Sequence, residues 1–372
     1  MPIQGDNLMS SNSATITVDS KILLNTIQVI NHAAAPYSGS VNVACKDGTF
    51  SIESRAELST INTIVPTESI EGNAEFGVML DTLQSACSGR AGIITITYEN
   101  TVLSIKSKGY KIDLASVDYV AYSPVAKPNA DSVKISVEQS NWLKSAISLV
   151  ALTPNLTSPI MPVAVSIDSD GTTVACYARD HISFIKTAEL ASDSKIEFAI
   201  PVESAVSLFN TFKGAEFTLI AEESYVHAEN NICSLYISLP ATDAYLPYDE
   251  LQSRIDVFMS SEAPTITIPI AELNTLFGNC KALATKERGE LIIKSNTKKT
   301  IISKTSANGT ANALFTGCSE GSLDIKIDEQ YFQEALSKVD KKSDAIIKCN
   351  ADMGFIVVPG KNDCYSVIAL NR

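Results

Sequence analysis

The sequence lacks most of the features that mark secreted, membrane-spanning or catalytic proteins. Its 372 residues include only three histidines and one tryptophan, and 29 Lys plus Arg stand against 42 Asp plus Glu. No apolar run approaches the ~20 residues of a membrane-spanning helix. Residues 1–14 have neither the basic start nor the apolar stretch of a signal peptide. We therefore expect a soluble cytoplasmic protein with no membrane partner and a flexible tail over residues 1–14.

The cysteines and histidines give no sign of a metal site or a catalytic centre. The eight cysteines form no CxxC pair, which argues against a disulfide framework and a zinc site, so we expect buried, reduced thiols. His32, His181 and His227 lie far apart in the sequence, and no GxSxG, P-loop, HExxH or dinucleotide-binding motif occurs. We predict no catalytic residues, no metal and no cofactor, in a protein that is not an enzyme.

What the sequence does contain is one pattern of strands and helices that recurs three times. Hydrophobic residues make up 45% of the chain, enough for a large core, and the length predicts two or three domains. Each copy has a short strand, an amphipathic helix, a hairpin, another strand, a second helix and a closing hairpin. Val78, Ile200 and Ile327 hold equivalent places before the second helix, at spacings of 122 and 127 residues. We expect an α+β protein whose three domains cover residues 15–126, 132–259 and 264–372.

The first copy shows the local signals on which this prediction depends. Asp19 or Ser20 caps a helix that runs to about His32, with an apolar stripe of Leu23, Leu24, Ile27 and Ile30. Asp47-Gly48 and Glu99-Asn100 supply the turns of two hairpins. The other two copies predict helices around residues 142–147, 205–209, 273–277 and 332–339.

At this point the chain resembles the bacterial DNA polymerase III beta subunit, the sliding clamp. The resemblance covers about Thr15 to Arg372, and its most specific stretch is Ala282-Leu-Ala-Thr-Lys-Glu-Arg-Gly-Glu-Leu-Ile-Ile-Lys-Ser295. Supporting matches are Val78-Met-Leu-Asp-Thr-Leu83, Asp180-His181 and the terminal Tyr365-Ser-Val-Ile-Ala-Leu370. The resemblance implies a DNA clamp fold of three tandem repeats, each with two helices on antiparallel sheets, that assembles into a ring.

Helix geometry favours two chains in such a ring. Six helices packed side by side ~9–10 Å apart would leave a hole of about 8 Å, too narrow for duplex DNA. Twelve helices leave an opening of roughly 26 Å, which admits a B-form duplex whose major groove alone is ~12 Å wide. We therefore predict a head-to-tail homodimer in which domain 1 of one chain meets domain 3 of the other. Ile112 and Leu283 match apolar interface positions of the family.

Basic residues on or just after the predicted helices are candidates for lining the hole. Because the net charge is −13, a positive lining requires an uneven distribution of charge. Contacts with phosphates read no sequence, which suits sliding along duplex DNA. For each residue, ordinary solvation of a helix end is an equally good interpretation. The candidates are Lys21, Arg90, Lys144, Lys213, Lys281, Lys286, Arg288, Lys338, Lys341 and Lys342.

The resemblance also implies a hydrophobic groove in which a polymerase and a clamp loader dock short peptides. By position, its residues are Ile160, Met161, Ala178, His181, Ser183, Leu246, Pro247, Val367, Ile368 and Leu370. Core packing remains the alternative for each of them, and for Ile368 in particular. The family's Asp-Gly-His-Arg is replaced here by Arg179-Asp-His-Ile182, and its Phe-Pro-Asp-Tyr by Leu246-Pro-Tyr-Asp249. These departures imply a different peptide preference and suggest a clamp from outside ordinary bacterial lineages, such as a phage-encoded clamp acting in the host cytoplasm.

One alternative shares the repeats and the lack of catalytic motifs. A β-rich structural assembly protein, such as a virion component, would also be repetitive and non-catalytic. It would give no reason for two helices in every copy with lysines near their ends. A stable dimer would favour the clamp, and a monomer or a long polymer would favour the assembly protein.

Overall fold

The computed structural model describes residues 12–36, 38–120, 132–153, 161–178, 180–222, 224–239, 248–260, 263–280, 283, 289–306, 308–316 and 322–371. In these ranges the chain forms 24 strands and seven α-helices. It divides into two compact units. Unit 1 comprises residues 1–140 and 207–240, and unit 2 comprises residues 141–206 and 241–372.

The strands fall into three successive sets of eight. The first set is β1 (Ser13–Asp19), β2 (Ser40–Lys46), β3 (Thr49–Arg55), β4 (Ser59–Ile64), β5 (Ser69–Met79), β6 (Ile93–Glu99), β7 (Val102–Ser107) and β8 (Tyr110–Ala115). The second is β9 (Val133–Ile135), β10 (Pro162–Asp168), β11 (Gly171–Tyr177), β12 (His181–Thr187), β13 (Ile196–Pro201), β14 (Phe217–Ala221), β15 (Tyr225–Glu229) and β16 (Cys233–Ser238). The third is β17 (Thr265–Pro269), β18 (Glu290–Ser295), β19 (Lys299–Ser306), β20 (Gly309–Thr316), β21 (Leu323–Asp328), β22 (Asp344–Asn350), β23 (Phe355–Pro359) and β24 (Cys364–Ala369).

All strand pairs are antiparallel, and the pairing order repeats from set to set. Unit 1 holds one sheet in the order β8-β7-β6-β1-β5-β2-β3-β4-β16-β15-β14-β9. Unit 2 holds an eight-stranded sheet, β13-β10-β11-β12-β24-β23-β22-β17, and a four-stranded sheet, β20-β19-β18-β21. Each set therefore contributes two groups of four with the same internal order. In the first set, β5 has 11 residues and pairs with both β1 and β2, so it joins the two groups. Its counterparts β13 and β21 have 6 residues each and belong to one group only among the described strands.

Six of the seven helices are those that the sequence predicts, two in each repeat. They are α1 (Ser20–Ala34), α2 (Leu80–Cys87), α3 (Val137–Val150), α4 (Val202–Thr211), α6 (Ile270–Cys280) and α7 (Glu329–Ser337). Asp19 caps α1 as predicted, accepting hydrogen bonds from the backbone N–H groups of Lys21 and Ile22, and Asp328 caps α7 in the same way. Leu23, Ile27 and Ile30 are fully buried, so the apolar stripe of α1 faces the core.

The seventh helix, α5 (Tyr248–Ser260), is not among the helices that the sequence predicts. Leu251, Ile255 and Phe258 recur at the spacing of an amphipathic helix, so the signal was present in the sequence. Ile255 is buried against the eight-stranded sheet in a cluster with Ile182, Phe184 and others. Four of the 13 residues of α5 are charged, which lowers the average hydrophobicity of the segment.

The hairpin turns follow the sequence closely. Asp47 and Gly48 both have positive φ, 52° and 73°, which is the backbone of a type I′ turn between β2 and β3. The second predicted turn lies one residue later, at Asn100 and Thr101, with φ of 50° and 65°. Asparagine tolerates this region of the backbone map, and the Thr101 hydroxyl donates a hydrogen bond to the Asn100 carbonyl.

The core accounts for the thiols and for one buried ion pair. The six cysteines among the described side chains are free and buried, as predicted for reduced thiols. In unit 2 the Lys304 ammonium lies 2.5 Å from a carboxylate oxygen of Glu329, and both side chains are almost fully buried. This carboxylate packs directly on Gly289, where any larger side chain would collide with it.

Across the described residues, no helix has the length and apolar character needed to cross a membrane.

Candidate nucleic-acid interface, partner groove and subunit edges

The basic residues proposed to face DNA lie in three kinds of environment. Lys21 on α1, Lys213 after α4, and Lys341 and Lys342 after α7 are exposed. Arg90 after α2 and Lys144 on α3 are half-buried. Lys281, Lys286 and Arg288 lie outside the described residues. The exposed members follow or begin helices, as the sequence predicts.

Lys338 must be corrected, because the structure places it in the interior of unit 2. Its side chain is 6% exposed. Its ammonium donates hydrogen bonds to the Val150 carbonyl at 2.9 Å and to the Ser183 hydroxyl at 2.7 Å. Val150 ends α3, so the ammonium satisfies a terminal carbonyl that the helix cannot pair by itself. Burial lowers the pKa of Lys338 from its usual range. An ammonium held in this way is not available to a phosphate.

Arg90 also has a partner within the chain. Its guanidinium carbon lies 3.2 Å from the ring centroid of Tyr110, the first residue of β8. Its Nε donates to the Ala86 carbonyl at 3.4 Å. A cation stacked on an aromatic face is held by the quadrupole of the aromatic system. Arg90 is therefore tied to the edge strand of unit 1.

The predicted groove residues do come together in unit 2, but most of them are buried. Antiparallel pairing places His181 opposite Ile368, and Ile182 opposite Val367. Met161, Ala178, His181, Ser183, Val367 and Ile368 are all buried, and only Leu370 is partly exposed. Ile160, Leu246 and Pro247 lie outside the described residues. These residues lie on neighbouring strands, as the sequence predicts, but those that the structure describes do not line an open groove.

Strand alternation divides the buried groove residues between the two faces of one sheet. Val367 and Ile182 belong to the apolar cluster covered by Ile255 of α5. Ser183 bonds to Lys338 on the opposite face, and His181 lies against Tyr331 of α7, with ring centroids 5.3 Å apart. Successive side chains of a strand point to opposite faces. These residues therefore cannot all line a single groove, and this part of the prediction is corrected.

His181 is held neutral inside unit 2. Neither ring nitrogen has a hydrogen-bond partner among the described residues. Burial, reinforced by the nearby Lys338 ammonium, lowers the pKa of His181 to about 3. An imidazole with this pKa carries no charge at neutral pH. Of the two interpretations from sequence, the burial of His181 agrees with core packing and not with a place in an open groove, and its ring nitrogens have no hydrogen-bond partner among the described residues.

A partly exposed apolar patch lies beside the buried set, at the end of β24. The Leu370 N–H donates to the Gly354 carbonyl at 2.8 Å, which brings Leu370 next to Met353, itself 52% exposed. The Phe258 ring of α5 packs edge-on against Phe355 at 4.5 Å. Met259, the next residue of α5, is 44% exposed. We call Met259, Met353 and Leu370 the terminal patch.

A polar cleft of about 470 Å³ opens on the other side of unit 2, between the end of α3 and α7. The Thr153 N–H donates to the Glu334 carboxylate across this cleft. Its lining residues are Ser148, Leu149, Ala151, Thr153, Gln330, Gln333, Glu334, Ser337, Lys338 and Lys361. Sequence reasoning did not single out the cleft, because its polar residues look like an ordinary solvated helix face. Within the part of the chain described, no group of His, Cys, Asp and Glu is arranged to hold a metal ion.

The three described sheets end in six edge strands, β8, β9, β13, β17, β20 and β21, and two of these, β8 and β20, have counterparts that pair across a junction between repeats. β8 pairs only with β7 at one edge of unit 1, and β20 pairs only with β19 at one edge of unit 2. Ile112 is half-buried on β8, and Leu314 on β20 is 63% exposed. Leu283 packs beside Gly309, the first residue of β20, with its Cδ2 3.4 Å from where a Cβ on Gly309 would sit. The two apolar residues expected at a subunit interface thus lie on β8 and next to β20.

Comparisons with known proteins place this fold in a defined class. No family model matches the sequence, and no curated protein matches it. Solved structures do match along nearly the whole chain. The Pseudomonas aeruginosa DNA polymerase III beta sliding clamp bound to griselimycin has a TM-score of 0.79 at 12% identity, covering 97% of this chain and 100% of the other.

Two further solved structures agree. The Thermotoga maritima DNA polymerase III beta subunit has a TM-score of 0.78 at 13% identity, covering 96% of this chain and 99% of the other. The Helicobacter pylori beta clamp bound to a DNA ligase peptide has a TM-score of 0.70 at 12% identity, covering 96% and 100%. The chain therefore has an α+β DNA clamp fold of tandem repeats with helices on antiparallel sheets. This is the fold of the bacterial DNA polymerase III beta subunit, and the sequence has diverged far from these examples of it.

Proposed function

We propose that this chain is a DNA sliding clamp: two copies close head to tail around duplex DNA and tether a replicative polymerase. The observation that carries the proposal is the pattern of paired and open sheet edges. Each of the two internal junctions between repeats is made by one strand pair, β4 with β16 and β12 with β24. The third junction of the same kind would join β20 to β8 of a second copy.

The registers of the two internal junctions agree with each other and predict the third. Ile61 of β4, Ser183 of β12 and Ala311 of β20 hold the same position in the three repeats. Each pairs with a residue of the preceding strand in its hairpin: Ile61 with Ser54, Ser183 with Cys176, and Ala311 with Lys304. Ile112 of β8, Leu235 of β16 and Ser366 of β24 also hold one position in the three repeats. They pair with Ile105, Ala228 and Val358 of their preceding strands, respectively. Ile61 lies opposite Leu235, and Ser183 lies opposite Ser366. The third junction should therefore place Ile112 opposite Ala311 of a second copy.

Burial supports the same junction. The four residues at the centres of the internal junctions, Ile61, Leu235, Ser183 and Ser366, are at most 1% exposed. Their counterparts at the open edges, Ile112 and Ala311, are only half-buried. Pairing with a second copy would cover both of them, along with the exposed Leu314. It would also remove two unpaired strand edges, which otherwise invite aggregation.

Two such junctions between two chains close a ring of six repeats. Twelve helices then surround a hole of roughly 26 Å, which accommodates a duplex. The ring would need a clamp loader to open it around DNA. It would work in the cytoplasm of a bacterium, or of a phage's host. We assign no catalytic role to the chain. The alternative of a structural assembly protein is not favoured, because the similar solved structures named above are replication clamps.

For the polymerase tether we infer the terminal patch as the docking surface, in place of the buried residues that the sequence suggested. The Helicobacter pylori clamp was solved with a DNA ligase peptide, so clamps of this fold accept short peptides. Met259 and Met353 are 44% and 52% exposed and Leu370 is partly exposed, so they offer adaptable apolar contacts at the surface of unit 2. A short apolar peptide from a polymerase fits this chemistry.

Cysteine cross-linking tests the ring at single-residue resolution. In a variant carrying Ile112→Cys and Ala311→Cys, mild oxidation should produce covalently closed dimers, because directly opposed residues of antiparallel strands have Cα atoms ~4.5–5.5 Å apart. The matched control, Ile112→Cys with Ala313→Cys, shifts one partner by two residues and should cross-link far less. Equal cross-linking of both variants, or of neither, contradicts the proposed register.

The same variant tests enclosure of DNA without a loader. Oxidation in the presence of nicked circular DNA should trap closed dimers on the circles in a form that survives gel filtration. Cutting the circle with a restriction enzyme should release them. Retention on the linear product equal to that on the circle would show ordinary binding and would refute the sliding clamp.

A further inference from the structure

One sheet face of unit 1 corresponds to the face of unit 2 that α5 covers, but its side chains are aromatic and polar. In unit 2, Ile255 of α5 is buried against an apolar sheet face. The strand registers that relate the repeats assign counterparts in unit 1 to five residues of that apolar cluster. Thr60, Asn62, Tyr225, His227 and Tyr236 correspond to Ile182, Phe184, Phe355, Val357 and Val367, respectively.

Three rings form the centre of this face of unit 1. The His227 imidazole is stacked on the Tyr236 ring, with centroids 3.9 Å apart and an angle of 9° between the planes. The Tyr225 ring lies 6.2 Å from the Tyr236 ring. The Nε2 atom of His227 lies 3.0 Å from the Ser234 hydroxyl and 3.5 Å from the Glu229 carboxylate. Tyr225, Ser234 and Tyr236 are half-buried and Glu229 is exposed, so the described chain leaves this face accessible to solvent.

Carboxylates give the face a negative charge. The exposed Glu229 ends β15, and at the start of the same strand the Tyr225 hydroxyl donates a hydrogen bond to the Glu222 carboxylate. Burial and the charge of Glu229 raise the pKa of Tyr236, and burial together with Glu222 raises the pKa of Tyr225 to about 12. Both phenols are therefore neutral near pH 7, and the faces of their rings attract cations.

Nearby basic residues do not offset this charge. Arg55 is the only lysine or arginine in β3, β4, β14, β15 and β16, and Glu53 lies two residues before it on the same face of β3. Lys134 of β9 forms an ion pair of 2.8 Å with Glu216. Burial lowers the pKa of His227, although a neighbouring carboxylate opposes the shift, so the imidazole is neutral at pH 7. The face therefore favours a positively charged ligand.

An exposed apolar pair borders the rings. The Ile64 N–H donates to the Ile232 carbonyl at 2.7 Å, and the two side chains are 39% and 45% exposed. Ile64 lies two residues after Asn62, so both point to the same face of β4. Ile232 precedes Tyr236 by four positions, which corresponds to about 13 Å along a strand. The apolar pair and the tyrosine rings thus have the spacing of side chains four positions apart in an extended peptide.

We propose that this face of unit 1 is a second docking surface, for an extended protein segment that carries a lysine or arginine four positions from an apolar residue. We call Ile64, Tyr225, Glu229, Ile232 and Tyr236 the tyrosine face. The cation lies over the tyrosine rings close to Glu229, where cation–π attraction and the carboxylate act together. The apolar side chain covers the two isoleucines. The negative charge disfavours nucleic acid as the occupant. This inference goes beyond the proposed function, because it requires neither DNA nor a closed ring.

A matched set of labelled synthetic peptides tests the inference. Each peptide has one leucine and one arginine in a serine background, two, four or six positions apart, and fluorescence anisotropy measures its affinity for the full chain. We expect the spacing of four to bind best, and glutamate in place of its arginine to weaken binding by about tenfold or more. Equal affinity for all spacings or for both charges overturns the inference, as does a lack of saturable binding up to about 1 mM.

Variants locate the binding site. Glu229→Lys should weaken binding of the spacing-four peptide by about tenfold, because it places a like charge beside the arginine. The control Glu99→Lys makes the same change at an exposed position on β6 and should leave the affinity unchanged. Met353→Ser with Leu370→Ser, in the terminal patch, should also leave it unchanged. A loss in the terminal-patch variant, or equal losses for the two lysine variants, overturns the assignment to the tyrosine face.

Two further measurements separate this inference from the others. Cross-linking through Ile112→Cys and Ala311→Cys should proceed equally with and without Glu229→Lys, so the ring and the tyrosine face can fail independently. Light scattering should give the same oligomeric state for the parent and for Glu229→Lys. A change in oligomeric state would make the face a contact between copies of this chain and would refute a separate protein partner.

Discussion

The ammonium of Lys338 donates a hydrogen bond of 2.7 Å to the hydroxyl of Ser183, 155 residues earlier in the chain. The first was expected to face DNA and the second to line a peptide groove. The bond joins the end of α7 to β12 and, through Val150, to the end of α3. Together these contacts make Lys338 a structural link within unit 2.

The first prediction concerns this link. Lys338→Met keeps most of the side-chain volume but leaves the Val150 carbonyl and the Ser183 hydroxyl without their donor, which should cost about 1–3 kcal/mol in the free energy of unfolding. Urea unfolding measures the loss. The matched control, Lys342→Met on the exposed turn after α7, should stay within about 0.5 kcal/mol of the parent. Equal midpoints for the two variants would contradict the structural role.

The second prediction concerns pH and His181. The pKa of this ring is about 3 in the folded chain and near 6.5 in the unfolded chain. Between these values the unfolded chain binds a proton that the folded chain does not. Stability contributed by neutral His181 is therefore complete above about pH 6.5 and declines as the pH falls towards 3, by about 1.4 kcal/mol per pH unit.

The variant His181→Leu should remove this part of the pH dependence. Its unfolding free energy, measured by urea at pH 7, 6, 5 and 4, should fall less steeply than that of the parent. His32→Leu, at an exposed position on α1, serves as the control and should keep the parent's slope. Parallel curves for all three proteins would show that His181 titrates normally in the folded state.

The third prediction concerns the buried pair of Lys304 and Glu329. Lys304→Met leaves the Glu329 carboxylate buried without its cation, and removing one partner of such a pair typically costs about 3–5 kcal/mol. The double variant Lys304→Met, Glu329→Leu removes both charges and should recover much of the loss. Thermal unfolding compares the two. A double variant less stable than the single variant would mean that the pair is not isolated in the core.

The fourth prediction concerns the terminal patch. Met353→Ser combined with Leu370→Ser should weaken binding of a polymerase-derived apolar peptide at least tenfold, because the apolar area that anchors the peptide is lost. Fluorescence anisotropy with a labelled peptide measures the affinity. The control Ile346→Ser changes another exposed apolar residue of unit 2 outside the patch. Unchanged affinity in the patch variant, or an equal loss in the control, would remove this assignment.

Much of the fold could be predicted from local patterns. The apolar stripe at Leu23, Ile27 and Ile30 specifies α1, and Asp47-Gly48 specifies the turn after β2, because both depend on neighbours in the sequence. Recurrence of the same pattern indicated the three repeats. Helix α5 was not predicted, although the spacing of Leu251, Ile255 and Phe258 is helical.

The site could be predicted only in part, because burial depends on contacts between distant segments. Strand placement of His181 and Ile368 followed from the sequence, yet their burial depends on α7 and on the pairing of β12 with β24. Lys338 has the sequence context of an exposed lysine at a helix end. Only the arrival of Val150 and Ser183 from far along the chain removes its ammonium from solvent.

The sequence by itself determined the elements, their order and their threefold recurrence, since helix caps, turns and apolar periodicity act over a few residues. The tertiary structure decided which side chains stay accessible and that β8 and β20 are edge strands. Side-chain direction alternates along each strand, and the neighbours that cover a face come from distant parts of the chain, as Val150 and Ser183 do for Lys338 from 188 and 155 residues away.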